Sequence, residues 1–332
     1  MYMKKTSQSK LQSSILLLLL ALFFSTKGQQ NPGLALYNFH TSYLNPAAVG
    51  FNGESSFQLH YRNQWSQYQS TYDGSGNLGT QIASLSVGFD ELNLGGGLQY
   101  VNDLTPSGAG LQFVKTQFAY HLPVGEGTLS FGTQLGIASK SFDGRAFRYR
   151  DPNDPTISEI SGKTIAKSAF DVGFGLIYNR DKWNVGLSVD HLNSPSFAFS
   201  NAVEQVQMKP MITLHGALKL PISEQIVINP FTQVRVYQGN LLVDLGTRVQ
   251  FGRFIWVGGN MRTNDALAGM FGVNALKNKL EFGYALEQTI ANQSIKAPLS
   301  HEVFVKFNLP SFGIKSGGSS VAPINTPRFK IN

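Results

Sequence analysis

Cysteine is absent from the 332 residues, which removes disulfides, thiolate metal sites and a lipid anchor of the bacterial lipoprotein kind. Charge is scarce, with Asp, Glu, Lys and Arg together only 14% of the chain. Past residue 28 no apolar run approaches the ~20 residues of a membrane-spanning helix. The net charge is +7, but Lys4, Lys5, Lys10 and Lys27 sit in an N-terminal leader without acids. Without those four the remaining 23 Lys and Arg face 20 acids, a net of +3, so no nucleic-acid partner is expected.

Glycine is plentiful, at 34 residues, and aromatics make up 12%. That combination suits many short strands, tight turns and a surface that does not all face water. The leader, 1–28, reads as a signal peptide: a basic n-region, then the apolar h-region Ile15 to Phe24, too short to span a bilayer. The mature chain is expected to begin near Gln29, outside the cytoplasm.

From Ser55 onward, period 2 recurs in segment after segment, the mark of strands with two chemically different faces. In "SSFQLHYRNQW" Phe57, Leu59 and Tyr61 share one face while Gln58, His60 and Arg62 share the other. In "FDVGFGLIYN" Phe170, Val172, Phe174, Leu176 and Tyr178 oppose Asp171, Gly173 and Gly175. The second face is polar or glycine almost throughout. Fourteen such segments are expected, at 55–65, 81–90, 93–103, 110–123, 127–140, 168–179, 183–192 and 209–220, then 226–238, 240–252, 253–263, 266–276, 279–289 and 300–309. Most have about ten residues, the length a tilted strand needs to cross a bilayer.

An even count is the bacterial outer-membrane rule. Every second connection is tight, whereas the first, fifth and seventh are long, the loop asymmetry of such barrels. Tyr61, Trp65, Tyr100, Tyr120, Tyr178, Trp183, Tyr237, Tyr284 and Phe307 near segment ends suit interfacial girdles. A soluble sandwich or solenoid also alternates, but its outer faces would carry Lys and Glu where this chain has Gly, Ser, Gln and Asn. The expected fold is therefore all-β: a transmembrane antiparallel barrel of about 14 strands over 55–309, embedded in outer-membrane lipid.

Two stretches lie outside that pattern. Residues 29–54, interrupted by Pro32 and Pro46, are expected to form a plug-like or periplasmic segment. Residues 310–332, rich in Gly, Ser and Pro, read as a flexible tail, with both termini periplasmic.

Chemistry-bearing motifs are sparse. The six His are scattered without metal-ligand spacing. "DHLNS" sets Asp190, His191 and Ser194 close in sequence, yet a triad is assembled in space, and alternation would turn His191 toward lipid with Val189. "RDPNDP", with Asp151 and Asp154, reads as a turn before a Ca²⁺ loop. No catalytic residue, cofactor or metal is expected.

"YNFHTSYLNPAAVG" followed by "LHYRNQW", together with the last strand "HEVFVKFNLP" and the final "TPRF", resembles the PorP/SprF family of type IX secretion system membrane proteins. The resemblance implies a non-enzymatic outer-membrane barrel whose partners are type IX secretion components or a large exported surface protein, adhesin-like, with a C-terminal signal domain. A pore or transporter for a small or apolar solute, and a purely structural barrel, are the alternatives.

The candidate plug, lumen or partner contacts are Asn45, Pro46, His60, Arg62, Gln64 and Trp65. Arg62 is expected in the lumen, bonded to carbonyls or a carboxylate of 29–54, because a buried guanidinium without partners costs several kcal/mol, roughly 3–5 when a pair is broken. Asn45-Pro46 suits a turn that folds the segment back.

Overall fold

The computed structural model describes residues 31–66, 78–105, 109–144, 162–199, 205–291 and 296–310. Fourteen strands form the wall: β1 (Ser55–Gln64), β2 (Leu78–Phe89), β3 (Leu94–Leu104), β4 (Ala109–Val124), β5 (Gly127–Asp143), β6 (Thr164–Arg180) and β7 (Trp183–Asp190). The second half is β8 (Met211–Leu218), β9 (Ile226–Tyr237), β10 (Asn240–Phe251), β11 (Ile255–Arg262), β12 (Ala266–Ala275), β13 (Leu280–Thr289) and β14 (Leu299–Leu309). Each pairs antiparallel with its neighbours in sequence, and β1 pairs with β14, from Ser55 opposite Leu309 to Asn63 opposite His301. The sheet closes on itself and leaves no edge.

The alternation sorts side chains as expected. Phe118 and Phe271 are 56% and 50% exposed on the outside, and Leu59, Phe174 and Leu214 lie on the same outer surface. An apolar skin of this extent is stable only against lipid. Tyr61, Tyr100, Tyr120, Trp183 and Phe307 are exposed near strand ends. Tyr237 departs from its expected girdle place: Val236 faces out, so the next residue along β9 is turned inward and buried.

Strand lengths depart from the sequence pattern in one region. β5 and β6 pair through Lys140 opposite Lys167 and on to Asp143 opposite Thr164, several residues beyond where the apolar alternation fades. Backbone pairing continues past the apolar band because the hydrogen-bond ladder does not require a lipid-facing side chain. The stretch 193–207, expected as a plain loop, contains the two-residue pairing of Ser196–Phe197 with Val206–Gln207. The "RDPNDP" turn, the leader and the tail beyond 310 lie outside the described residues.

Residues 31–54 run through short helical turns, Tyr37–Phe39, Thr41–Leu44, Pro46–Ala48 and Phe51–Gly53. Asn45 caps the third by accepting from Ala47 N at 3.0 Å, with Pro46 at the first helical position, where its missing N–H costs nothing. Leu34, Ala35, Leu36, Tyr37, Ala47 and Val49 are at most 2% exposed. They are covered by inward-facing side chains of the wall. Phe39 stacks on Trp256 at 4.3 Å between ring centroids and lies 4.9 Å from Phe304, while Tyr37 meets Phe231 edge-on at 5.4 Å. The inner face is therefore not uniformly polar, because apolar side chains appear where the segment supplies a dry surface to pack on.

Candidate functional site

The site is built where residues 31–54 meet the inner wall. Toward the short-turn rim the contact is backbone against glycine. A Cβ on Gly95 would fall 1.9 Å from Val49 O, one on Gly132 2.2 Å from Ala47 N, and one on Gly175 1.9 Å from the Asn45 side chain. Only a residue without a side chain lets two backbones approach this closely. Asn45 Nδ2 donates to Leu176 O at 3.0 Å and Leu187 O at 3.2 Å, and lies 3.1 Å from His215 Nε2. Ser188 donates to Leu44 O, Gln117 to Ser42 O, and His121 Nε2 to Val49 O at 3.0 Å.

Toward the long-loop rim the contact is a network of buried charge. Antiparallel register sets Arg62 of β1 directly opposite Glu302 of β14, and Asp244 of β10 opposite Arg262 of β11. Arg62 donates to Glu302 at 2.9 Å and to Glu287 at 2.5 and 3.3 Å. Arg262 donates to Asp244 at 2.9 Å, to Asp265 at 3.2 Å and to Glu287 at 3.3 Å, so Glu287 joins the two pairs. Arg235 reaches Asp244 at 3.3 Å, and Lys296 binds Asp265 at 2.6 Å.

This network also holds the N-terminal segment. Glu302 accepts from Ala35 N at 2.8 Å and Leu36 N at 2.7 Å, and His60 Nε2 lies 2.8 Å from the same carboxylate. Arg262 donates to Leu34 O at 3.3 Å, and Asn260 to Ala35 O at 3.2 Å. Both backbone polarities of residues 34–36 are met by the wall, as a buried main chain requires. His40, on the segment, is fully enclosed and hydrogen-bonded to Ser84 at 2.7 Å. Burial, and then the neighbouring His60, hold its imidazole well below the usual histidine range, hence neutral.

The expected residues divide into two groups. All four of Asn45, Pro46, His60 and Arg62 are buried where segment meets wall, Asn45 and Pro46 toward the short-turn rim and His60 and Arg62 in the charge network toward the long-loop rim. Gln64 and Trp65 are half-buried at the end of β1, outside that network. Trp65 turns with φ 51°, its N–H donating to Ser300 Oγ at 3.1 Å and its ring facing the Lys296 ammonium at 5.9 Å.

Two expectations are corrected. Among the described residues Arg62 does not bond to the segment; its partners are the wall carboxylates Glu287 and Glu302, and Glu302 is the group that reaches the segment. His191 does not face lipid. β7 ends at Asp190, His191 takes φ 58°, and the reversal buries its ring between Asp171 at 2.8 Å and Asn31 at 3.1 Å. Its carboxylate partner is thus Asp171 and not the adjacent Asp190, so no triad forms with Ser194.

Sequence reasoning missed Glu287, Arg262, Asp244 and Asp265, which only cross-strand register unites. One signal was available: closing any barrel pairs first strand with last, and "HYRNQW" then runs antiparallel to "SHEVF", bringing Arg62 to Glu302.

Residues 26–307 match the family model described as type IX secretion system membrane protein PorP/SprF. No functionally curated protein matches the chain. Among solved structures, the Ralstonia pickettii toluene transporter TbuX aligns over 81% of this chain and 93% of its own, at 11% identity and TM-score 0.49. The P. putida toluene transporter TodX gives the same four figures. The CymD monoaromatic hydrocarbon channel aligns over 85% and 95%, at 12% identity and TM-score 0.46. These likenesses concern fold alone.

Proposed function

The chain belongs to the PorP/SprF family of type IX secretion system membrane proteins, and from that premise we propose that it is a non-enzymatic outer-membrane barrel that holds protein partners. The partners are components of the export machinery or a large exported surface protein, adhesin-like, whose C-terminal signal domain it binds. Residues 31–54 act as a plug, with Asn45 and Pro46 shaping its turn and His60 and Arg62 orienting the Glu302 carboxylate that anchors it. The termini lie on the periplasmic side, where the short turns are.

One observation carries this reading. The inner wall carries glycines, apolar side chains and buried ion pairs matched to residues 31–54, and a diffusion pore instead needs an open, hydrated lumen. A surface specialised to hold a polypeptide suits a protein that works through contacts with other chains. Pull-down of the tagged full-length protein from detergent-solubilised outer membranes, read by mass spectrometry, tests it. Type IX components or one large exported protein in the eluate is expected. A barrel that emerges alone, and conducts in planar bilayers, overturns the partner role in favour of a pore.

A further inference from the structure

A cavity of about 290 Å³ opens beside residues 37–44 at the short-turn rim, bounded by β6 to β10. Its size is near the lower end of small-ligand sites, roughly 300–1,000 Å³. Its lining includes four cations, Arg180, Lys182, Lys219 and Arg248, and one carboxylate, Asp181. Arg180 is already paired with Glu126. Among the described residues Lys182, Lys219 and Arg248 form no salt bridge, so the cavity holds an unbalanced positive charge.

Arg248 decides how this is read. Lys182 and Lys219 are exposed in two turns tied together by a 2.7 Å bond from Lys219 N to Lys182 O, and lysines there alone would suit lipid headgroups. Arg248 instead points inward from β10 on the same face as Asp244. Its Nη2 donates to Asn229 Oδ1 at 3.3 Å, its guanidinium lies 5.0 Å from the Phe39 ring centroid, and its buried Nε has no partner among the described residues. Every other inward arginine described above is neutralised by a direct carboxylate, whereas Arg248 makes no salt bridge among the described residues. A guanidinium has five donors in a planar fork, a geometry that matches a carboxylate bidentately. The volume of the cavity and the apolar residues in its lining, Tyr37, Leu44, Ala217 and Leu218, suit a peptide side chain more than a bare ion.

We propose that this cavity binds a carboxylate of an acidic peptide segment presented from the short-turn side, with the half-buried Arg248 as the anchor and Lys182 and Lys219 as attracting charges at the mouth. The assignment rests on the partner-binding reading above. It adds the place and chemistry of one contact.

The test uses the full-length protein in detergent and a fluorescein-labelled hexapeptide ending in two glutamates, with an amidated peptide carrying glutamine instead as control. Anisotropy is expected to show saturable binding of the acidic peptide alone, weakened tenfold or more by Arg248→Gln and partly restored by Arg248→Lys. Should Arg248→Gln fail to fold, Lys182→Gln with Lys219→Gln, confined to turns, is expected to weaken binding at least threefold and to steepen its loss with salt less. Equal binding of the glutamine peptide, or full affinity in Arg248→Gln, overturns the proposal. So does displacement by inorganic phosphate as effectively as by acidic peptide, which would indicate a headgroup or free-anion site. The membrane pull-down separates this from the broader reading. Partner recovery by the wild type and equally by Arg248→Gln refutes the cavity while the partner role stands. Acidic-peptide binding without any recovered partner supports the cavity while the partner role falls.

Discussion

Replacing Glu302 by Ala should release the start of the N-terminal segment while leaving the barrel closed. The carboxylate accepts four hydrogen bonds, from Ala35 N, Leu36 N, Arg62 and His60. Bonds to a buried charged group contribute about 1.5–3 kcal/mol each, and removing one partner of a buried ion pair costs roughly 3–5 kcal/mol. Arg62 keeps Glu287, so the wall pair is only half lost, and the two amides bear most of the effect. Taking about 3 kcal/mol for them together, hydrogen exchange at Ala35 and Leu36 should accelerate on the order of 10²-fold, at 1.36 kcal/mol per decade. Glu302→Gln, which keeps one acceptor oxygen, should fall between. The assay is exchange mass spectrometry on detergent-solubilised protein, with heat-modified gel migration to confirm the folded barrel. Exchange at those two amides within about threefold of wild type, in a folded barrel, would refute the anchoring role.

Four further outcomes can be measured. Gly95→Ala should expose residues 45–53 to protease, since its Cβ meets Val49 O, whereas Gly96→Ala next to it, with open space around it, should not; the cost of such overpacking is about 1–3 kcal/mol. His40 is neutral when folded and free to charge when released, so segment docking should be intact above pH ~6.5 and weaken as pH falls below it, a slope that His40→Asn should flatten. Phe118→Arg, on the lipid face, should lower barrel stability in vesicles by roughly 2–4 kcal/mol if it sits near the bilayer midplane, read from urea titrations of tryptophan fluorescence. Ser319→Cys should resist impermeant thiol labelling in intact cells and become labelled after the outer membrane is permeabilised, as a periplasmic tail requires.

The parts of the molecule that sequence made legible are those governed by local periodicity. Side chains of successive strand residues point to opposite faces because of backbone geometry, so Leu59 and His60 declare their surroundings without knowledge of any partner. Fourteen alternating segments with tight alternate turns were enough for a closed even-stranded barrel. Where alternation was read one residue too far the expectation failed: at His191 a left-handed φ turns the ring inward, and a turn conformation cannot be inferred from period 2.

The inner chemistry belongs to tertiary structure. Ala35 and Glu302 stand 267 residues apart, and nothing near either one signals the other. The sequence by itself determined that Arg62 occupies an inner face and that a buried guanidinium there requires carboxylates. Which carboxylates answer it, that one of them also grips Ala35 and Leu36, and that among the described residues Arg248 has no direct one were decided only by closure of the sheet. Closure sets the register of β1 against β14 and of β10 against β11, and register, a global property of the ring, is what brings distant charges within bonding distance.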